Sequence, residues 1–304
     1  MRWACSDASG IALLTPPALA KDGGRGILLG GTNRDTDMET FWASDGLRLA
    51  YYVDDFTNPW SGAPTVLLLH AAMGSARRYF GWVPHLCRDY RVVRLDLRGH
   101  GASAIPPAAS ELTLDRLVLD VVELIDHLGC PAVHVVGNSA GGYLGQQLAM
   151  TRPERVRSLS LYGSTPGLKN SQAPSWIPQI RAKGLRGFLA ETISDRLPAD
   201  ADPGLVAWFL DEAAKNEPAY IGKFVALMAS YDWSGEVERI LCPTLVVIPG
   251  AETVGSLANY QPFRRLKDVE VKTYEGLPHN ICDAVPDRCA ADLRAFLARR
   301  FPAG

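Results

Sequence analysis

One segment of the chain has residue types and spacing suited to nucleophilic chemistry: Gly137-Asn138-Ser139-Ala140-Gly141. A serine hydroxyl attacks a carbonyl only when a base takes its proton, and a histidine far along the chain, in a loop, can supply that base. His279 has that place. It follows the apolar run Val269 to Tyr274 and Gly276, and a helical pattern from about Pro286 to Arg300 comes next. The other histidines read differently: His85, His127 and His134 fall within helix or strand patterns, His100 lies in a Gly-flanked turn, and His70 ends an apolar run near the site as a loop-shaping residue.

The elements around Ser139 must hold it up. A strand running into a sharp turn and then a helix leaves the hydroxyl proud at the carboxyl edge of a sheet. Val133 to Val136 read as that strand, Gly137 and Gly141 leave room for a strained turn, and Tyr143 to Met150 continue as an apolar helix. Further strands are read at Leu49 to Val53, Thr65 to His70, Arg91 to Asp96, Arg157 to Gly163, Thr244 to Pro249 and Val269 to Tyr274, several unbroken by polar residues, as in a buried parallel sheet. Thr113 to Leu128 repeats its apolar residues at three and four and stops at Gly129. Alternating strands and helices predict an α/β class with helices on both faces of a mostly parallel sheet. The alternation fails between about Pro166 and Asp232, where Pro174, Pro178, Pro203 and Pro218 separate short helical pieces. This predicts a core over 41–165 and 233–304 with a helical cap, 166–232, inserted before the last two strands.

Residues 1–40 are expected to form a disordered leader. Arg2, Ile11 to Leu14 and Ala18 to Ala20 imitate a signal peptide loosely, but Asp7 interrupts the front and Pro16-Pro17 end a short apolar run. The 304 residues hold 47% apolar side chains, enough for a sizeable core. With 31 basic and 33 acidic residues, a net charge of -2 and no basic run longer than a pair such as Arg77-Arg78, nucleic acid is not an expected partner. No apolar run approaches the ~18 residues of a membrane span. The six cysteines form no C-x-x-C pair and have no nearby His at ligand spacing, so no metal is expected, attack by a serine hydroxyl needs no cofactor, and reduced thiols in a cytoplasmic protein are the simpler reading. Cys282, close to His279, is read as a bystander.

Together these segments resemble the α/β-hydrolase fold over residues 41–304. His70-Ala71-Ala72-Met73-Gly74 resembles the family's H-G-x-x-G loop with Ala71 in place of the usual glycine. Asp96 to Ser103 resembles its D-x-R-G-x-G-x-S turn, and Cys242 to Ile248 the strand that delivers the acid. The resemblance implies Ser139 as nucleophile, His279 as base, and an oxyanion hole from the backbone N–H groups of Ala72 and Ala140. It puts the acid at Thr253, which cannot hold an imidazolium; Glu252, one residue earlier, is therefore assigned, with an acid from another strand end as the alternative. Gly163-Ser164-Thr165 offers none. His70, Met73, Asn138, Trp176, Trp208 and Phe209 are expected at the substrate, while Arg181, Lys183 and Arg186 either receive a substrate carboxylate or are solvated helix charges.

The implied activity is hydrolysis of a small to medium, largely apolar ester or lactone through acyl-Ser139, with a homodimer left open. Gly137 to Gly142 also resembles hydrolases that cleave carbon–carbon bonds of ring-cleavage products, against which Asn280 follows the histidine in place of an aromatic residue. A ligand receptor using the same pocket is the reading from another class. Epoxide and haloalkane hydrolysis would need a carboxylate where Ser139 stands.

Overall fold

Short apolar runs pair into one eight-stranded sheet in the computed structural model, which describes residues 38–168 and 171–302. The strands are β1 (Met38–Trp42), β2 (Arg48–Asp54), β3 (Thr65–Leu69), β4 (Arg91–Leu95), β5 (Val133–Asn138), β6 (Val156–Tyr162), β7 (Thr244–Pro249) and β8 (Val269–Tyr274). Their order is β1-β2-β4-β3-β5-β6-β7-β8, with β1 and β2 antiparallel to their neighbours and every later pairing parallel. The helices are α1 (Val83–Leu86), α2 (Leu114–His127), α3 (Ala140–Thr151), α4 (Ala173–Glu191), α5 (Pro203–Ala214), α6 (Pro218–Ala229), α7 (Ile281–Ala284) and α8 (Pro286–Arg300).

Every residue of β3 and β5 is buried, because helices cover both faces of the sheet there. Successive side chains on a strand point to opposite faces. Leu67, Leu69 and Val135 accordingly join an apolar core with Leu117 and Leu124 of α2 and Leu144 and Leu148 of α3. Val66, Leu68 and Val136 join a second core with Trp82, Leu293 and Phe296. The helical segment α4 to α6 lies between β6 and β7, and a single antiparallel bridge, Gly167 to Asp232, ties the chain where it leaves the sheet to where it returns.

One expectation changes. The expected leader falls on residues 1–37 outside the described residues, but its last three belong to β1. That strand escaped the sequence pattern because an edge strand needs little burial: only Phe41 is buried and Trp42 is 71% exposed. Among the described residues no helix is long and apolar enough to cross a membrane.

Buried polar groups lock together the loops that carry the site. The ring of His70 donates from Nδ1–H to the Ala71 carbonyl (2.8 Å) and accepts the Leu97 N–H at Nε2 (3.0 Å). Asp96 accepts the N–H groups of Ala76 (2.6 Å) and Ala102 (2.8 Å). The loops after β3 and β4 are thereby fixed to each other, and the arrangement needs a neutral His70.

Burial pulls the His70 imidazole well below its ordinary pKa of 6.5 and those of His100 and His134 to about 4. The unfolded chain therefore takes up protons below pH 6.5 that the folded chain refuses. Stability present at neutral pH is lost as the pH falls from 6.5 toward 4, at up to about 1.4 kcal/mol per pH unit for each histidine. Melting temperatures recorded at pH 7, 6 and 5 should fall steadily, and an unchanged value across this range would contradict the burial of neutral imidazoles.

Candidate active site

Ser139 sits at the junction of β5 and α3 with φ 48° and ψ -113°, a conformation that strains a residue bearing a side chain. Its surroundings hold it there. Its N–H donates to the Tyr162 carbonyl of β6 (3.0 Å), and its own carbonyl accepts the Ser164 hydroxyl (2.9 Å). The flanking glycines are required by space: a Cβ at Gly137 would lie 2.4 Å from the Gly142 backbone, one at Gly141 2.0 Å from the Leu69 carbonyl oxygen, and one at Gly142 2.3 Å from the Ser164 hydroxyl.

The structure brings Ser139, His279 and Glu252 into one hydrogen-bonded line. Ser139 Oγ lies 3.0 Å from His279 Nε2, and His279 Nδ1 lies 2.8 Å from Glu252 Oε2. A carboxylate only accepts, so Nδ1 carries the hydrogen and Nε2 is left to take the serine proton. Glu252 also accepts the N–H groups of Val254 (2.8 Å) and Gly255 (3.1 Å) and the Tyr260 hydroxyl (3.0 Å). Burial alone would raise its pKa. The His279 charge and hydrogen bond, with those from Gly255 and Tyr260, outweigh that and bring it down to about 2, so the group is ionised at neutral pH.

Thr253, the family's expected acid position, turns away and donates to Asp195 (3.0 Å). The Asp195 carbonyl accepts the N–H of His279 (3.2 Å), and the Arg196 carbonyl that of Asn280 (3.0 Å). The turn after α4 thus clasps the histidine loop, a role that no local pattern announced.

Ser139 and His279 face a cavity of about 50 Å³, room for a few water molecules. Ala72, Met73, Ala140, Trp176 and Phe209 line it, and so do Leu168, Leu189, Val225, Met228, Val254 and Asn280. Ala140 opens α3, so its N–H is one of the first-turn donors without an intrahelical acceptor. Met73, at φ 62°, turns the loop that carries Ala72.

Three expected contacts do not reach the cavity lining. His70 is buried behind it in the hydrogen bonds described above. Asn138 is turned into the sheet, donating from Nδ2 to the Tyr162 carbonyl (2.8 Å). Trp208 packs outward against the ring of Phe80 (5.1 Å between centroids), because adjacent helix residues face roughly 100° apart and Phe209 takes the inward direction. The three cations of α4 also stay outside: Arg186 pairs with Asp211 (2.9 Å), Lys183 with Glu191, and Arg181 is exposed.

Two arginines that the sequence reading missed line the cavity instead, Arg78 and Arg196. Arg78 is ion-paired with buried Asp283 (3.1 Å) and stacks on Phe209 (3.6 Å). Arg196 is 6% exposed and lies over Trp176 (5.2 Å); burial draws its pKa down to about 10, so it stays protonated at neutral pH. Among the described residues, no group of three or more His, Cys, Asp or Glu is arranged to hold a metal.

Residues 64–205 match the family described as alpha/beta hydrolase fold. Over 261 residues, 78% of this chain and 94% of the relative, the sequence is 30% identical to a putative carbamate hydrolase RutD of Pseudomonas syringae. The chain belongs to the α/β-hydrolase family. A putative 2-succinyl-6-hydroxy-2,4-cyclohexadiene-1-carboxylate synthase of Bacillus subtilis is 36% identical over 126 residues, which is 41% of this α/β-hydrolase and 44% of that protein, so the match spans under half of the Bacillus chain. The crystal structure of a hydrolase from Pseudomonas aeruginosa superimposes with a TM-score of 0.77 at 27% identity, covering 86% of this chain and 99% of that one.

The close approach at Gly141 gives a direct test of what holds the serine turn. Gly141→Ala should cost about 3 kcal/mol or more and abolish soluble folded protein or lower the melting temperature sharply, since the obstacle is backbone. Gly235→Ala, where an added Cβ meets nothing within 4 Å, should leave it within a degree or two.

Proposed function

We propose that this α/β-hydrolase cleaves carboxylic esters or lactones through an acyl-Ser139 intermediate. The observation that carries the reading is the unbroken line from Ser139 Oγ through His279 to Glu252, at 3.0 and 2.8 Å. As Ser139 Oγ attacks the carbonyl carbon, its proton passes to His279 Nε2, and the imidazolium so formed is stabilised by the ionised Glu252. Negative charge then develops on the carbonyl oxygen, where the N–H groups of Ala72 and Ala140 would stabilise it; one such donor is worth about 10²–10³ in rate. His279 returns its proton to the leaving alcohol. Water deprotonated by His279 attacks the acyl-serine and releases the acid, restoring Ser139.

Other observations support the reading. The apolar wall of Leu168, Leu189, Val225, Met228 and Val254 suits a hydrophobic acyl or alcohol group. The Pseudomonas relative is named for a carbamate, which, like an ester, is attacked at a carbonyl carbon. Cys87, Cys130, Cys242, Cys282 and Cys289 are free thiols, which fits a reducing compartment such as the cytoplasm.

A fluorophosphonate probe should label Ser139 alone and fail on Ser139→Ala. With a 4-nitrophenyl ester, Glu252→Gln should lower kcat by about 10³–10⁴ with KM little changed, nearly as severely as His279→Ala, because the amide holds the ring without stabilising its charge. Retention of a tenth or more of kcat in Glu252→Gln would mean that Ser139 and His279 act without this carboxylate.

A further inference from the structure

The charges around the cavity do not all cancel in the same way. Arg78 is matched by Asp283 at 3.1 Å, and Glu252 is engaged with His279 at 2.8 Å. Arg196 is the exception. It is nine-tenths or more buried and lines the cavity, yet among the described residues its guanidinium forms no ion pair and no side-chain hydrogen bond. The nearest acid in sequence, Asp195, accepts from Thr253 instead (3.0 Å).

Its contacts are aromatic: the guanidinium lies 5.2 Å from the Trp176 ring and 5.9 Å from that of Phe188. Rings receive the flat face of a guanidinium and leave the edge, with its fork of N–H donors, for a planar anion. A buried guanidinium with empty donors costs free energy that a carboxylate on a ligand would offset. The Arg196 backbone is itself clamped, its carbonyl accepting the Asn280 N–H beside His279 at 3.0 Å. The residue's backbone is therefore fixed relative to the reacting groups, and the rings of Trp176 and Phe188 lie beside its guanidinium.

We propose that Arg196 is the specificity-determining residue of this site and binds a carboxylate carried by the substrate, so that preferred substrates are anionic esters or lactones. The proposal rests on the acyl-transfer reading and adds a chemical class to it. The carboxylate can sit on either half of the ester, and it is Arg196, not the exposed cations of α4, that receives it.

The test compares charged and neutral substrates of equal shape. On the acyl side, 4-nitrophenyl monoesters of succinic, glutaric and adipic acid are set against neutral esters with a terminal isopropyl group in place of the carboxylate. On the alcohol side, 4-acetoxybenzoate is set against 4-acetoxyacetophenone. At least one anionic member should exceed its neutral partner in kcat/KM by about 10- to 100-fold, the worth of a charged hydrogen bond. Arg196→Met should erase that ratio mainly by raising KM for the anionic ester, and Arg196→Lys should restore part of it. Equal rates on every charged and neutral pair in the wild type, or a ratio that survives Arg196→Met, would overturn the proposal. Should Arg196→Met fail to fold, Arg196→Lys decides: a lowered ratio supports the proposal, and a ratio equal to that of the wild type overturns it. If no ester of either kind is hydrolysed, the acyl-transfer reading has failed, and calorimetry with glutarate and adipate on wild type and Arg196→Lys decides the role of Arg196 by binding: saturable binding weakened in the variant supports it, and no binding overturns it.

Discussion

The site exists because α3 approaches the end of β3 more closely than any side chain would allow. A Cβ at Gly141 would stand 2.0 Å from the Leu69 carbonyl oxygen, and one at Gly137 would stand 2.4 Å from Gly142. That approach forces the chain between them into a turn so sharp that Ser139 takes a left-handed φ of 48°. The strain, of order 1–3 kcal/mol, is held by sheet hydrogen bonds and by the double-sided burial of β3 and β5. From the same packing follow the outward hydroxyl, the start of α3 at Ala140, and the facing loop at Ala72.

Electrostatics then sharpen what the backbone sets up. Glu252 sits almost wholly out of water, where burial opposes ionisation, and the charge and hydrogen bond of His279 with the hydrogen bonds from Gly255 and Tyr260 reverse that preference. Being ionised and held, it selects the histidine tautomer that leaves Nε2 open to Ser139. The helical segment between β6 and β7 adds a second hold, since Asp195 and Arg196 accept the N–H groups of His279 and Asn280. The same short turn thus reaches both His279 and the cavity wall.

Much of this was legible in the chain itself. The serine turn could be read because its requirements are local: a strand, glycines where space is short, then a helix. His279 was legible from its loop after the last strand, and Glu252 because a carboxylate one residue off the expected place can reach with its extra methylene while Thr253 cannot substitute. What stayed hidden depends on tertiary packing. The edge strand β1 buries little and leaves no apolar pattern. Which of Trp208 and Phe209 faces inward turns on the rotation of α5. Arg78 and Arg196 look like surface charges in the sequence, since only the assembled cavity shows that they are buried, and Arg181, Lys183 and Arg186 looked equally eligible.

The central claim is that Ser139 becomes covalently acylated during turnover. Rapid mixing with 4-nitrophenyl acetate, acid quench and mass spectrometry tests it directly. A pre-steady-state burst of nitrophenolate close to one equivalent is expected, with an acetyl group mapped to the peptide bearing Ser139. Turnover with no burst and no adduct, or an acetyl group on another residue, would contradict it.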